Sequence, residues 1–538
     1  MNERALLIRS DWREDLLKLW QRIPVDWKKA FIAAMLINII VYFFDLAQFP
    51  LGDHDVGYED GIPLLSGGRT GRWFTPFLHL LSGHVQIPVY TQLLAFATQI
   101  AAGMGAVLLW RPKAGAWLLF AGGIMISCMP AVTDFYYYHY MALAFTASQL
   151  FMVLALHASL KPGRHRLLSY ALAVVLTTCA LASYQSSIMT WTTCFWGLVL
   201  IKLLEWDGRL SALYVLCKAL CPALLCLMAA CLLYAVSLRL YPLVGFSLDL
   251  YQFQTVVFTD LPQRLWELVR QSWLHLVVPQ GFMSLWLKIL LLCALAGGAA
   301  AMLSRAVHVT QHQLLKVSIL IVAIALFPVA AKSQFLVSNN SNWYLYRFLA
   351  MGLSYVYSFF LLTLLADSKT PIRNAGLLLF ILLLPCMAVN CLDQQIRHVR
   401  STEHDLAVLN RVIGRIESLP NFDPDKTYNL VQLGRTKPYL QDTPRVGPLT
   451  PLSSQTISQA WNPGFELWLL SKYLKLGDRL NEEIQKRPDL MEKALHFARD
   501  KQAFPHQGSI GIVDDTIILL FDRDAIPTAE ARLKTLKQ

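Results

Sequence analysis

Residues 52–61 read GDHDVGYEDG and place four carboxyl groups and an imidazole, Asp53, His54, Asp55, Glu59 and Asp60, in ten positions. A carboxylate beside an acceptor hydroxyl can take its proton as the oxygen attacks. A second carboxylate can bind a divalent cation or orient the acceptor. The same residues also suit a hydrated loop with surface ion pairs, and their spacing alone does not separate these uses. The following stretch, LLSGGRTGRWF, adds Arg69 and Arg72, with Gly67, Gly68 and Gly71 keeping the turn open. Guanidinium forks hold phosphate oxygens at two points, which suits the phosphate of a lipid.

Three further segments carry chemistry. MPAVTDFYYYHY (129–140) offers Asp134, Tyr137 and His139 among four tyrosines. Aromatic faces stack on sugar rings, and they also form belts at membrane interfaces. LASYQSS offers Tyr184 and Gln185, as ligand groups or as caps of a tight turn. AAKSQFLVSNNSNWYLYRF places Lys332 and Arg347 on either side of a polar loop. A phosphate ligand or plain headgroup contact would account for cations there. Asn339 begins a glycosylation sequon, a short pattern that is frequent by chance. The chain has no P-loop, GxGxxG, HExxH or metal-spaced histidine cluster. No cofactor is fixed. The acids leave room for a divalent cation, Mg or Mn, and no metal ligand set is defined.

The elements that must position these groups are membrane spans. Of 538 residues, 55% are hydrophobic and 15% charged, whereas soluble domains carry about 25% charged residues. A span needs about 20 apolar residues. Eleven such runs are read at roughly 30–47, 86–109, 114–131, 139–158, 167–183, 186–203, 213–238, 283–303, 314–331, 344–366 and 373–391. The short basic connections RPKAG, KPGRHR, EWDGR, SRAVH and DSKTPIR fall on alternate sides, together with the basic amphipathic start, residues 1–29. Lysine and arginine stay on the cytoplasmic side. The acidic loop, 48–85, is then external, as are 239–282 and the tail, 392–538. The tail mixes strand-like runs (TYNLVQLG, GIVDDTIILLF) with helical ones (GFELWLLSKYLKLG, LNEEIQKRPDLMEKALHFARDKQ) and reads as a soluble α/β domain.

The net charge of +11 belongs to this sidedness and not to nucleic-acid binding. All ten cysteines lie in or beside apolar runs, as packing residues. By their sequence the spans hold few ionisable residues, which counts against an ion-coupled transporter.

HDVGYEDG…GRTGRWF, PAVTDFYYYHY and SYQSS follow an amphipathic basic start and one span. In that order they resemble the GtrII-like family of O-antigen-modifying glucosyltransferases, over roughly residues 25–390. The resemblance implies a GT-C fold and a sugar donor, glucose by family, linked to polyprenyl (undecaprenyl) phosphate. It implies transfer at the periplasmic face of a bacterial inner membrane onto a lipid-linked polysaccharide such as O-antigen. That is the lipopolysaccharide glucosylation behind serotype conversion. A polyprenyl-phosphate-sugar synthase and a flippase would be its functional neighbours.

The family's first-loop acidic base carries over to Asp55 or Asp53. Asp55 is favoured because it lies deeper in the loop and Gly57 follows. Glu59, Asp60 and His54 remain for the acceptor or a cation, and Arg69, Arg72, Lys332 and Arg347 for the donor phosphate. Asp134, Tyr137, His139, Tyr184 and Gln185 remain for sugar contact. A flippase or transporter of lipid-linked saccharides, or an O-antigen polymerase or ligase, would share the basic outer loops and aromatic belts.

Overall fold

The computed structural model describes residues 21–48, 50, 70–84, 87–160, 165–207, 211–240, 243, 261–278, 283–307, 313–336, 349–436, 470, 473–481 and 487–537. The helices in chain order begin with α1 (Val25–Val41), α2 (Phe43–Gln48), α3 (Thr75–His79), α4 (Pro88–Trp110), α5 (Ala116–Ser127) and α6 (Thr133–Tyr137). They continue with α7 (Ala142–Leu160), α8 (Arg166–Ser183), α9 (Ile188–Glu205), α10 (Ala212–Leu240), α11 (Leu261–Val277), α12 (Leu285–Val307) and α13 (Gln313–Ala330). A π-helical turn, Leu349–Leu353, leads into α14 (Ser354–Leu365), and α15 (Thr370–Glu417) follows.

Among the described residues seven helices are long and apolar enough to cross a membrane, or eight if the bent pair Ala116–Ser127 with Pro130–Tyr137 is one span. The sequence led to an expectation of eleven. The difference lies in α1, with 17 residues, and in the shorter apolar helices Leu314–Ala330 and Leu349–Leu365. The molecule is a polytopic helical membrane protein. The basic N-terminal stretch up to residue 20 lies outside the described residues.

Helices in lipid close their own backbone hydrogen bonds, so their association rests on close packing and a few polar contacts. Gln149 Nε2 donates to Gln99 Oε1 at 2.9 Å, and Tyr355 Oη donates to Gln149 Oε1 at 3.1 Å, joining α4, α7 and α14. Asn38 Nδ2 donates to Ser127 Oγ at 2.8 Å, joining α1 and α5. Gly298 lets α12 approach the α14 backbone until a Cβ there would collide with the Phe360 carbonyl. Exposed leucines and methionines such as Leu225, Met228 and Leu232 of α10 face outward, as a lipid-facing surface requires.

At one end of the bundle charges are closed. Arg305 and Asp367 pair at 2.7 Å across α12 and the turn after α14. Lys316 donates to the Leu204 and Trp206 carbonyls, each at 2.7 Å, and so caps the end of α9.

The tail carries a four-stranded sheet in the order β2-β1-β4-β3. Its strands are β1 (Tyr428–Leu433), β2 (Leu476–Asn481), β3 (Ile510–Val513) and β4 (Thr516–Leu520). β1 runs parallel to both β2 and β4, and β3 pairs antiparallel with β4. Asp514 at φ 56° makes the tight turn between them. TIILL is buried at every position, because both sheet faces are covered. Leu409, Ile413 and Ile416 of α15 cover Leu430, Ile517 and Leu519 on one face. α16 (Pro488–Ala498) and α17 (Ala525–Lys537) cover Val431, Leu433, Ile518 and Leu520 on the other. β2 occupies the junction of the two stretches read as helical from sequence. Its register against β1, from Tyr428 opposite Leu476 to Gln432 opposite Asn481, outweighs the local helical preference of LKLG and LNEE.

Two adjacent glycines test the helix contact. Gly298→Ala should destabilise the protein by about 1–3 kcal/mol through overpacking. At Gly297 a Cβ meets only the Leu364 side chain, at 3.2 Å, so Gly297→Ala should be near neutral. Thermal unfolding of the two variants in detergent checks this.

Candidate functional site

The opposite end of the bundle is built around a break in the first span. α1 stops at Val41, Tyr42 turns away with φ −104° and ψ 23°, and α2 begins at Phe43. In an unbroken helix the Asp45 N–H would bond to the Val41 carbonyl. Here the side chain of Gln395 on α15 enters that gap. Asp45 N–H donates to Gln395 Oε1 at 3.1 Å, and Gln395 Nε2 donates to the Val41 carbonyl at 2.7 Å. Tyr42 Oη donates to the Ser127 carbonyl at 3.1 Å and lies 3.6 Å from Cys391 Sγ.

The break turns the Asp45 carboxylate into the protein, where it is 0% exposed. Asp45 Oδ1 lies 3.8 Å from His139 Nε2. A buried carboxylate beside an imidazole is a pair able to exchange a proton, and such pairs concentrate at functional sites. Asp134 is fully buried on α6 nearby in sequence. The Tyr137 ring packs on His398 at 4.0 Å between centroids. Among the described residues the buried hydroxyls of Tyr136 and Tyr137 have no hydrogen-bond partner, which marks them as candidates for a ligand.

The segment after the acidic loop is fastened to the same end. Gln185 Nε2 donates to the Thr70 carbonyl at 3.1 Å and to Tyr234 Oη at 2.8 Å, and Tyr234 Oη donates to the Gly71 carbonyl at 3.2 Å. The Phe74 N–H donates to the Ala182 carbonyl at 3.0 Å, and Trp73 Nε1 donates to Ser237 Oγ at 2.9 Å. Gly71 has φ 79°, a conformation that favours glycine. This turn lays the Arg72 guanidinium over the Tyr184 ring at 5.1 Å. Its buried Nε has no hydrogen-bond partner among the described residues. Gln185 thus holds the turn that aims Arg72. His79, pushed down to about 4 mainly by burial, is neutral near pH 7, and its Nε2 reaches the Tyr140 carbonyl at 2.8 Å.

A second group of charges surrounds His275 near the end of α11. Lys332 Nζ lies 3.2 Å from His275 Nδ1 and above the Phe335 ring at 4.9 Å. Lys288, on α12, donates from Nζ to the His275 carbonyl at 2.8 Å and to Tyr357 Oη at 3.2 Å. Burial first, and then the two lysine charges, push His275 down to about 3, so its ring is neutral and accepts from Lys332. Burial pushes Lys332 down to about 8, which leaves it mostly protonated at pH 7.

Of the residues singled out from sequence, the structure gathers Arg72, Tyr184 and Gln185 in one cluster and Tyr137 and His139 in another. Phe145 links the two, with its ring 4.6 Å from Tyr184 and 5.9 Å from Tyr138. Asp53, His54, Asp55, Glu59, Asp60, Arg69 and Arg347 lie outside the described residues. Sequence reasoning passed over Asp45, Gln395, His398, Lys288 and His275. The ionisable ones among the spans had a usable signal. Asp45 stands in the first apolar run and Lys288 at the head of another, and such residues are functional candidates by default. The bundle is richer in buried ionisable groups than its sequence suggested, with Asp45, Asp134, Lys288 and Lys316 all nearly or fully buried.

Residues 58–388 match the profile of the family described as Glucosyl transferase GtrII. The chain belongs to the GtrII glucosyltransferase family. No curated protein sequence and no solved structure matches it significantly. The GtrII match includes the Arg72, His139 and His275 clusters and begins after Asp45 and ends before Gln395. Among the described residues no three His, Cys, Asp or Glu side chains converge as a metal would require.

Gln395→Leu keeps the volume and removes both bonds to the broken span. Leaving two buried backbone groups unpaired should cost about 2–5 kcal/mol. The thermal midpoint and sugar transfer should fall together, whereas Cys386→Ala on the same helix should leave both nearly unchanged.

Proposed function

We propose that this GtrII protein transfers one glucose from a polyprenyl-phosphate-linked donor to a lipid-linked polysaccharide such as O-antigen, at the periplasmic face of a bacterial inner membrane. The architecture is of the GT-C kind, with eleven spans and an external tail. The observation that carries the reading is the anchoring of the acidic loop. Its leading stem reaches His139 through Asp45, and its trailing stem reaches the next residue, Tyr140, through His79. The described stems on either side of the stretch with Asp53 and Asp55 thus meet consecutive residues, His139 and Tyr140, close in sequence to Tyr136 and Tyr137, whose phenols have no hydrogen-bond partner among the described residues.

In the reaction, Asp55 with Asp53 takes the proton of an acceptor hydroxyl. That oxygen forms a bond to the anomeric carbon of glucose. The bond from that carbon to the phosphate oxygen breaks, and polyprenyl phosphate departs with the electron pair. Arg69, Arg72, Lys332 and Arg347 receive the phosphate charge. Asp134, Tyr137, His139, Tyr184 and Gln185 contact or frame the sugar. Glu59, Asp60 and His54 orient the acceptor or hold a divalent cation. No step requires a nucleotide, because the sugar arrives already activated on lipid.

Asp55→Ala should lower kcat by about 10²–10⁴-fold, the contribution of a positioned base, with donor binding retained. The assay follows radiolabelled glucose from polyprenyl-phosphate-glucose into an acceptor glycolipid. Wild-type rates from the variant would remove Asp55 as the base. Movement of the labelled lipid across vesicles without acceptor would instead mark a transporter, and use of oligosaccharide-pyrophosphate lipids a polymerase or ligase.

A further inference from the structure

The turn that carries Arg72 is held residue by residue on both sides. The Thr70 carbonyl accepts from Gln185 Nε2 at 3.1 Å and the Gly71 carbonyl from Tyr234 Oη at 3.2 Å. Beyond Arg72, Trp73 Nε1 donates to Ser237 Oγ at 2.9 Å. The Phe74 N–H donates to the Ala182 carbonyl at 3.0 Å, and Thr75 Oγ1 to the Ser183 carbonyl at 3.2 Å. Arg72 differs from these neighbours. Its guanidinium lies over the Tyr184 ring at 5.1 Å, and its buried Nε has no hydrogen-bond partner among the described residues. The bonds fall on the residues around Arg72 and fix where it stands.

Two of these contacts come from α10. Tyr234 and Ser237 are three residues apart, so they share a face, and Ser237 Oγ donates to the Tyr234 carbonyl at 2.6 Å. Around them α10 is apolar and outward-facing, with Leu232, Leu233 and Val236 exposed. Hydroxyls on a helix in lipid stabilise by bonding across to another segment. Here that segment is the turn at residues 70–73.

The Tyr234 hydroxyl is the joint between the two sides. It accepts from Gln185 Nε2 at 2.8 Å and donates to the Gly71 carbonyl. One oxygen thereby ties together α10, the short turn after α8 and the turn before α3. A phenol has one proton to give, and Tyr234 gives it to the residue directly before Arg72. Gly71, at φ 79°, is the point where the backbone has most freedom to swing.

We infer that Tyr234 is a positioning residue for the transfer reaction: through the Gly71 carbonyl and the Gln185 amide it holds the Arg72 guanidinium in its place over Tyr184. It acts through Arg72 and not on the reacting atoms. That Arg72 meets the donor phosphate rests on the transferase reading. That Tyr234 sets the position of Arg72 does not.

The test is a double-variant cycle in the full-length protein in detergent. Tyr234→Phe keeps the ring and removes the hydroxyl with both of its bonds. It should lower kcat/KM for polyprenyl-phosphate-glucose roughly tenfold, the scale of lost neutral hydrogen bonds and a displaced binding group. In an Arg72→Ala background the same change should cost less than about twofold, because residues that act through one group are not additive. Ser237→Ala, which releases Trp73, should follow the same pattern with a smaller loss. Tyr214→Phe, exposed near the start of α10, should leave kcat/KM as it is.

An equal loss in both backgrounds, the pattern of a general packing defect, would overturn the positioning role. So would an Arg72→Ala protein as active as the wild type. Binding of undecaprenyl phosphate without acceptor reads the same cycle independently of turnover. If the wild-type protein transfers no glucose while this lipid shows the non-additive pattern, the transferase reading fails and the role of Tyr234 stands. If glucose is transferred and the two losses add, the role of Tyr234 fails alone.

Discussion

The interaction on which the functional end depends is the side-chain amide of Gln395 inserted into the backbone of the first span. A helix in lipid cannot leave its N–H and C=O groups open. A break in such a helix survives only where another group takes both of them. Gln395 offers one acceptor and one donor, and it bridges the two backbone groups that an intact turn would have joined. With the break secured, Tyr42 reaches α5, and Asp45 points inward to His139 instead of outward to lipid.

The two ends of the bundle treat charge differently. At the Arg305 end Arg305 meets the Asp367 carboxylate, and Lys316 meets the carbonyls of a helix terminus. Such contacts are complete in themselves and serve as structure. At the Asp45 end buried polar groups meet imidazoles, phenols and aromatic rings instead: Asp45 lies beside His139, Arg72 over Tyr184, and Lys288 against the Tyr357 hydroxyl.

Much of this was legible in the chain. Apolar runs marked the helices, and TYNLVQLG and GIVDDTIILLF marked strands of the tail sheet. The order HDVGYEDG, GRTGRWF, FYYYHY and SYQSS marked the GtrII family. The hydropathy pattern could not reveal that the first span breaks at Tyr42, because the residue that permits the break lies over three hundred positions away at Gln395. The strand at Leu476–Asn481 was hidden for the same reason, since its partner Tyr428–Leu433 supplies what its own residues do not. Asp45 and Lys288 were masked by their apolar surroundings. Gln185 offered an amide for a ligand or for a turn cap, and in the fold that amide holds the Thr70 carbonyl and Tyr234 Oη.

α15 gives the arrangement a mechanical character. It runs as one helix from Thr370 to Glu417, 48 residues, or roughly 72 Å at helical rise. Gln395 sits on it near the broken span, and Leu409, Ile413 and Ile416 further along form part of the tail core. One continuous helix therefore joins the broken span to the core of the tail. The two hydrogen bonds that keep Asp45 turned inward are thus made from the same helix that supplies one wall of the tail core.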